Sequence, residues 1–193
     1  MIESALAWNR TRLTGLHFFY LYHMPIIIET ERLIMREFTA DDAAGIFALN
    51  SNPEVMKYTG QPLMQDIEAA QNFVANYKEY EQHGYGSLAC ISKETGAFVG
   101  AFGLRYFAPK NTTGMGGLFL PEYWGKGYAT EVATACIKYG FEMLRLDEII
   151  ALAAADNKAS VVVMDRIGMK PFEELDNNGV KVLMYKITRN KDE

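Results

Sequence analysis

Pro121-Glu122-Tyr123-Trp124-Gly125-Lys126-Gly127-Tyr128-Ala129-Thr130-Glu131 joins an apolar run, Gly114 to Leu120, to the most regular helical pattern in the chain. From Ala129 the apolar residues Val132, Ala133, Cys136, Ile137, Gly140, Phe141 and Leu144 recur at alternating steps of three and one, which predicts an amphipathic helix. The stretch therefore reads as strand, glycine loop, helix. The first amides of a helix have no internal acceptor, and the helix dipole places positive potential there. Gly125 and Gly127 carry no side chain, so an anion can approach their backbone, and Lys126 adds a cation. A phosphate-binding loop is predicted. It is neither of two common kinds. A Walker A loop requires Gly where Leu120 stands, and a dinucleotide G-x-G-x-x-G requires Gly where Thr130 stands.

Working outward, Glu148 to Ala154 reads as a short buried strand, so that Gly114 to Ala154 is strand–helix–strand, and its two strands are expected to lie parallel. Upstream, Ser87–Ser92 and Ala97–Tyr106 flank Lys93-Glu94-Thr95-Gly96, a hairpin signal. Ile26–Ile28 and Arg32–Phe38 read as extended. Thr39 and Asp42 form a capping box for a helix running to about Asn50, and Gln65 to Gln82 reads as a second helix stopped at His83-Gly84. Downstream, Ala159 to Ile167 is a helix ended by Gly168, and Phe172–Leu175 and Val180–Thr188 are two closing strands. The expected fold class is α+β, with a mixed, mostly antiparallel central sheet of about seven strands flanked by helices.

The chain has 193 residues, 49% apolar and 22% charged, with a formal net charge of −5. That suits one domain with a real core. It argues against nucleic acid as a partner, which calls for clustered Lys and Arg. Residues 1–23 read as an N-terminal extension ahead of a domain spanning 24–193. Their apolar run, Leu16 to Tyr22, is interrupted at His17 and is too short and polar to span a membrane, so no membrane role is expected. Cys90 and Cys136 lie in apolar stretches without a C-x-x-C pair and read as buried reduced thiols, which fits a cytoplasmic location. His17, His23 and His83 lack metal-ligand spacing, so no metal is expected.

The loop resembles the acetyl-CoA loop of the GNAT superfamily of N-acetyltransferases, [Q/R]-x-x-G-x-[G/A]. Gly127 and Ala129 match, and Trp124 stands where Gln or Arg is usual. The stretch from Pro121 to Glu131 is most similar to the RimJ/RimL branch of ribosomal-protein alanine N-acetyltransferases. Thr30 to Arg36, Thr95 to Gly100, and Asn157-Lys158-Ala159-Ser160 with Ile167-Gly168-Met169 resemble further segments of that branch, so the likeness covers about residues 29–189. It implies a GNAT-type fold and transfer of acetyl from acetyl-CoA, as cosubstrate, to a primary amine, either a protein N-terminus or a small molecule. A homodimer is compatible with it.

The resemblance also implies site residues. The diphosphate is expected on Gly125, Lys126, Gly127, Tyr128, Ala129 and Thr130. The pantetheine arm is expected along Leu118, Phe119 and Leu120, because its two amides can imitate a β-strand. Asn157 and Ser160 are expected beside that arm, although Asn157 also reads as a helix N-cap. The relatives' usual proton-handling side chains are missing. Gly114 stands in place of a Glu, and Met164 in place of a Tyr. The acid and base are therefore unassigned, with Glu37, Tyr58, Tyr85 and Tyr106 as weak candidates. These same losses leave open a non-catalytic acyl-CoA-binding module as the alternative.

Overall fold

A computed structural model describes residues 26–177 and 180–189. The proposed extension, 1–23, lies outside the described residues. Eight strands form one sheet: β1 (Ile26–Glu29), β2 (Leu33–Arg36), β3 (Ser87–Ser92), β4 (Phe98–Phe107), β5 (Thr112–Phe119), β6 (Glu148–Ala154), β7 (Lys170–Asn177) and β8 (Val180–Thr188). Their order is β1-β2-β3-β4-β5-β6-β8-β7. Every neighbouring pair is antiparallel except β5 with β6, the pair joined by the long helix. Among the described residues the sheet has eight strands where about seven are expected, with β1 and β2 pairing antiparallel at its edge.

The helices are α1 (Ala43–Asn50), α2 (Pro53–Met56), α3 (Ile67–Ala75), α4 (Glu79–His83), α5 (Tyr128–Glu142) and α6 (Lys158–Arg166). The single helix expected from Gln65 to Gln82 is two. The break near Asn76 lets Tyr77 and Tyr80 both reach Ser87 at the start of β3. The Ser87 N–H donates to Tyr77 Oη at 2.7 Å, and Tyr80 Oη donates to the Ser87 carbonyl. Gly84 closes α4 with φ +76, as the sequence predicts.

Two apolar clusters cover the two faces of the sheet. The larger lies under α5 and α6 and includes Leu33, Met35, Leu88, Cys90, Val99, Met115, Val132, Cys136, Ile149 and Met164. The smaller lies under α1 and α3, around Phe38, Ile46, Ala70, Ala89 and Ile91. In α5 the buried positions Val132, Ala133, Cys136 and Gly140 are members of the three-and-one repeat. Gly140 lets α5 pack closely there, since a Cβ would sit 2.7 Å from Ile149 Cδ1 and that side chain would have to shift.

Candidate active site

The parallel pair β5 and β6 is joined over only two registers, Gly114 with Ile150 and Met115 with Ala151. Beyond them β5 continues to Phe119 against β4, and β6 continues to Ala154 against β8. The sheet is thus split along a wedge whose vertex lies at Gly114–Met115. Because the two strands are parallel, both of their C-terminal ends lie at the open end of the wedge. The glycine loop follows one of them and Asn157 follows the other. This is a topological reason for a ligand to lie there, of the kind that operates in open α/β sheets.

The wedge presents backbone groups. Leu120 N–H donates to Val99 O on β4 at 3.0 Å. Hydrogen-bonding direction alternates along a strand, so Leu118 also faces β4, while Phe119 and Gly117 face the gap. Of Leu118, Phe119 and Leu120, Phe119 is therefore the residue that offers its N–H to the gap. Its side chain is buried against Phe102, with ring centroids 6.0 Å apart. Its carbonyl accepts the Trp124 indole N–H at 2.7 Å.

Gly125 and Gly127 have φ of +71 and +83, left-handed values that favour glycine. Gly127 is the N-cap of α5, and no side chain caps the helix. The first turn closes when Glu131 N–H bonds Gly127 O at 3.1 Å. The amides of Tyr128, Ala129 and Thr130 therefore lie at an uncapped N-terminus of a 15-residue helix.

Glu131, in the first turn of α5, is a hub. Its Oε1 accepts from Thr30 Oγ1 at 2.6 Å and from Arg32 N at 2.9 Å, and its Oε2 accepts from Arg32 Nε at 2.7 Å. Arg32 Nη1 goes on to the Lys126 carbonyl at 2.9 Å, and the guanidinium lies 4.2 Å above the Tyr128 ring. Burial raises the Glu131 carboxyl, but the hydrogen bonds from Thr30 and Arg32 outweigh it and hold the group below its usual value. Nothing local announces this contact, because Arg32 and Glu131 are joined only when β2 and α5 are brought to the same end of the sheet.

Asn157 serves as the N-cap of α6, accepting from Ser160 N at 3.2 Å through Oδ1. Its amide NH2 is not used by that cap. Ser160 follows in the first turn of α6.

Of the four candidate proton carriers, two stand apart and two share a cavity. Tyr58 is 40% exposed beyond α2. Tyr106 donates to Asn111 Oδ1 at 2.7 Å and stacks on His83. Glu37 and Tyr85 come together, lining a cavity of about 20 Å³ with Tyr80, Leu104 and Tyr139. That is room for about one water. Tyr85 Oη lies 2.8 Å from Thr113 Oγ1, next to the vertex residue Gly114. Tyr80 and Tyr139 are raised by burial, with a smaller contribution from the Glu37 carboxylate, so they stay neutral phenols. Met164 is 8% exposed and packs in the larger core. Cys90 and Cys136 are fully buried free thiols; burial pushes Cys136 up to about 12 and Cys90 well above its usual value. Neither is a thiolate nucleophile near neutral pH.

Comparisons with known proteins bear on the same region. Residues 32–170 match the family described as Acetyltransferase (GNAT) domain, a span that contains the wedge, the glycine loop and Asn157. The chain is 37% identical over 149 residues to an uncharacterized N-acetyltransferase, YoaA, of Bacillus subtilis, covering 75% of this chain and 82% of that protein. It is 33% identical over 154 residues to the FsC-acetyl coenzyme A-N(2)-transacetylase of Aspergillus fumigatus, covering 74% of this chain and 61% of the relative. Among solved structures, an acetyltransferase (GNAT family) from Bacillus anthracis superposes with a TM-score of 0.73 at 29% identity, covering 83% of this chain and 97% of that one.

Proposed function

Because the chain belongs to the GNAT family of acetyltransferases, we propose that it moves the acetyl group of acetyl-CoA onto a primary amine, of a protein N-terminus or a small molecule, by direct attack. Acetyl-CoA, the acyl donor used by this family, supplies a thioester carbonyl when bound. The observation that carries the reading is the wedge between β5 and β6, open beside an uncapped helix N-terminus. The wedge offers strand backbone that no neighbouring strand pairs, the Phe119 N–H among it, to an extended arm bearing amides. The loop offers amides and a helix dipole to a diphosphate.

Each residue's part follows from its placement. Gly125 to Thr130 hold the diphosphate. Phe119 N–H faces the gap and donates to the oxygen that becomes negative during attack. Asn157 keeps its NH2 for the arm while its oxygen caps α6. Direct attack is favoured over an acyl-cysteine route because both thiols are buried and protonated. The incoming ammonium group must lose a proton before it attacks. Glu37, Tyr85 and a water in their shared cavity provide a path for that proton, and Tyr85 reaches β5 beside the vertex. The motif around Trp124 supports placement in the RimJ/RimL branch, and with it a protein N-terminus as one acceptor class.

A turnover screen tests the whole reading. Release of free CoA is followed with a thiol-reactive dye over a panel of peptides and small amines. Turnover with a primary amine well above thioester hydrolysis supports the proposal. Hydrolysis alone across the panel sinks it, and returns the protein to the role of an acyl-CoA-binding module.

A further inference from the structure

The glycine loop carries an anion of its own. Glu131 stands in the first turn of α5, on the helix whose N-terminal amides are assigned above to a diphosphate. A carboxylate there suits the helix dipole but opposes a second negative charge beside it. Its charge is met by a cation from a distant part of the chain. Arg32, in the turn between β1 and β2, places Nη2 at 2.6 Å and Nε at 2.7 Å from Glu131 Oε2. The same guanidinium donates to the Lys126 carbonyl at 2.9 Å. A Cβ built on Gly127 would lie 3.5 Å from Arg32 Nη2, so the guanidinium passes directly against the loop. The Arg32 side chain is 40% exposed while Glu131 is 17% exposed, so the cation is the outer member of the pair.

We propose that Arg32 is a positioning residue that cancels the Glu131 carboxylate and draws the Lys126 carbonyl back, so that the amides of the loop meet the acetyl-CoA diphosphate without a facing negative charge. This rests on the loop being the diphosphate site. It differs from a simple strut in the sign of one effect. Glu131→Gln keeps the size and one acceptor oxygen, for Thr30 and the Arg32 backbone N–H, but replaces the oxygen that faces Arg32 Nε and Nη2 with an NH2 group and removes the charge. Arg32 is then left as a net cation beside the loop, and an anionic ligand binds more tightly. A strut weakened by the same substitution would bind it less tightly.

The experiment is titration calorimetry on the full chain with two ligands, CoA and pantetheine, the second lacking all phosphates. Glu131→Gln is expected to bind CoA about threefold more tightly and Arg32→Gln about tenfold more weakly, with the double variant near wild type. Pantetheine affinity is expected to stay within about twofold of wild type in all three, since it carries no charge for the pair to act on. Weaker CoA binding by Glu131→Gln overturns the proposal. So does a loss in Arg32→Gln that is equal for CoA and pantetheine. Should Arg32→Gln fail to fold, the sign of the Glu131→Gln effect decides alone. Wild-type protein that binds no CoA would instead sink the assignment of the site itself.

Discussion

The indole N–H of Trp124 donates to the carbonyl oxygen of Phe119 at 2.7 Å, tying the last residue of β5 to the start of the glycine loop. Trp124 stands where the resembled loop pattern has Gln or Arg, and it is 47% exposed. Trp124→Phe keeps the ring and removes the donor. A single such bond is worth about 0.5–1.5 kcal/mol net, so acetyl-CoA affinity is expected to fall by about two- to tenfold. Calorimetric titration reads this. An unchanged dissociation constant would show that the loop holds its shape without the bond.

Gly127 has φ +83 and no side-chain cap to replace it. Valine is β-branched and avoids that conformation, and its methyls would press toward Arg32. Wild-type protein at a hundredfold excess of acetyl-CoA over its dissociation constant gains about 2.7 kcal/mol by linkage. Gly127→Val is expected to lose the corresponding rise in melting temperature. A folded Gly127→Val protein that keeps the full shift would remove the loop from the diphosphate site.

Met164 stands where the family resemblance puts a Tyr acid, and it is buried in the core with Cys136 and Ile149. Met164→Ala is expected to cost about 2–5 kcal/mol of stability through the cavity it leaves. Its effect on kcat is expected to be less than about tenfold, or 1.4 kcal/mol. Urea melts and steady-state kinetics separate the two.

Proton handling distributed over a water predicts graded losses. Glu37→Ala and Tyr85→Phe should each lower kcat by less than about a thousandfold, or 4 kcal/mol. Changes at the more distant Tyr58 and Tyr106 should cost less than about tenfold. The rate should climb with pH as the acceptor amine loses its proton. A loss above a thousandfold at any one of the four would identify that residue as the acid or base and displace the water path.

Glu131 titrates lower in the folded chain than in the unfolded one, because the hydrogen bonds from Thr30 and Arg32 outweigh its burial. Its contribution to stability is therefore present above the unfolded carboxylate value, about 4.3, and is lost as pH falls through the folded value. The difference in melting temperature between wild type and Glu131→Gln should be widest above about pH 5 and should close as the solution is made more acidic. A difference independent of pH would mean that the pair adds no charge-dependent stability.

Glycines, apolar periodicity and caps were legible because they act over a few neighbouring residues. The loop at Gly125–Gly127, the repeat that becomes α5, the hairpin with Gly96 at its turn and the stop at Gly84 are each local consequences of backbone freedom or of one buried face. The helical spacing from Gln65 to Gln82 is real, yet the backbone leaves the helix at Asn76, whose side-chain amide donates to the Asn72 carbonyl, and Tyr77 and Tyr80 beyond it both bond Ser87.

The amino-acid order alone thus determined that a strand, an anion-binding loop and an amphipathic helix follow one another, since each depends on steric and hydrogen-bonding rules that reach no further than a turn. The tertiary structure decided what that unit faces. The wedge exists because β5 and β6 diverge after Met115 and Ala151, and divergence is a property of two strands and everything packed on them. The pairing of Arg32 with Glu131, residues 99 apart, and the meeting of Tyr85 with Thr113 likewise depend on which strand ends the sheet brings together. Side-chain chemistry at such distances is set by the fold as a whole, because only packing of the full sheet removes the chain entropy that keeps those groups apart.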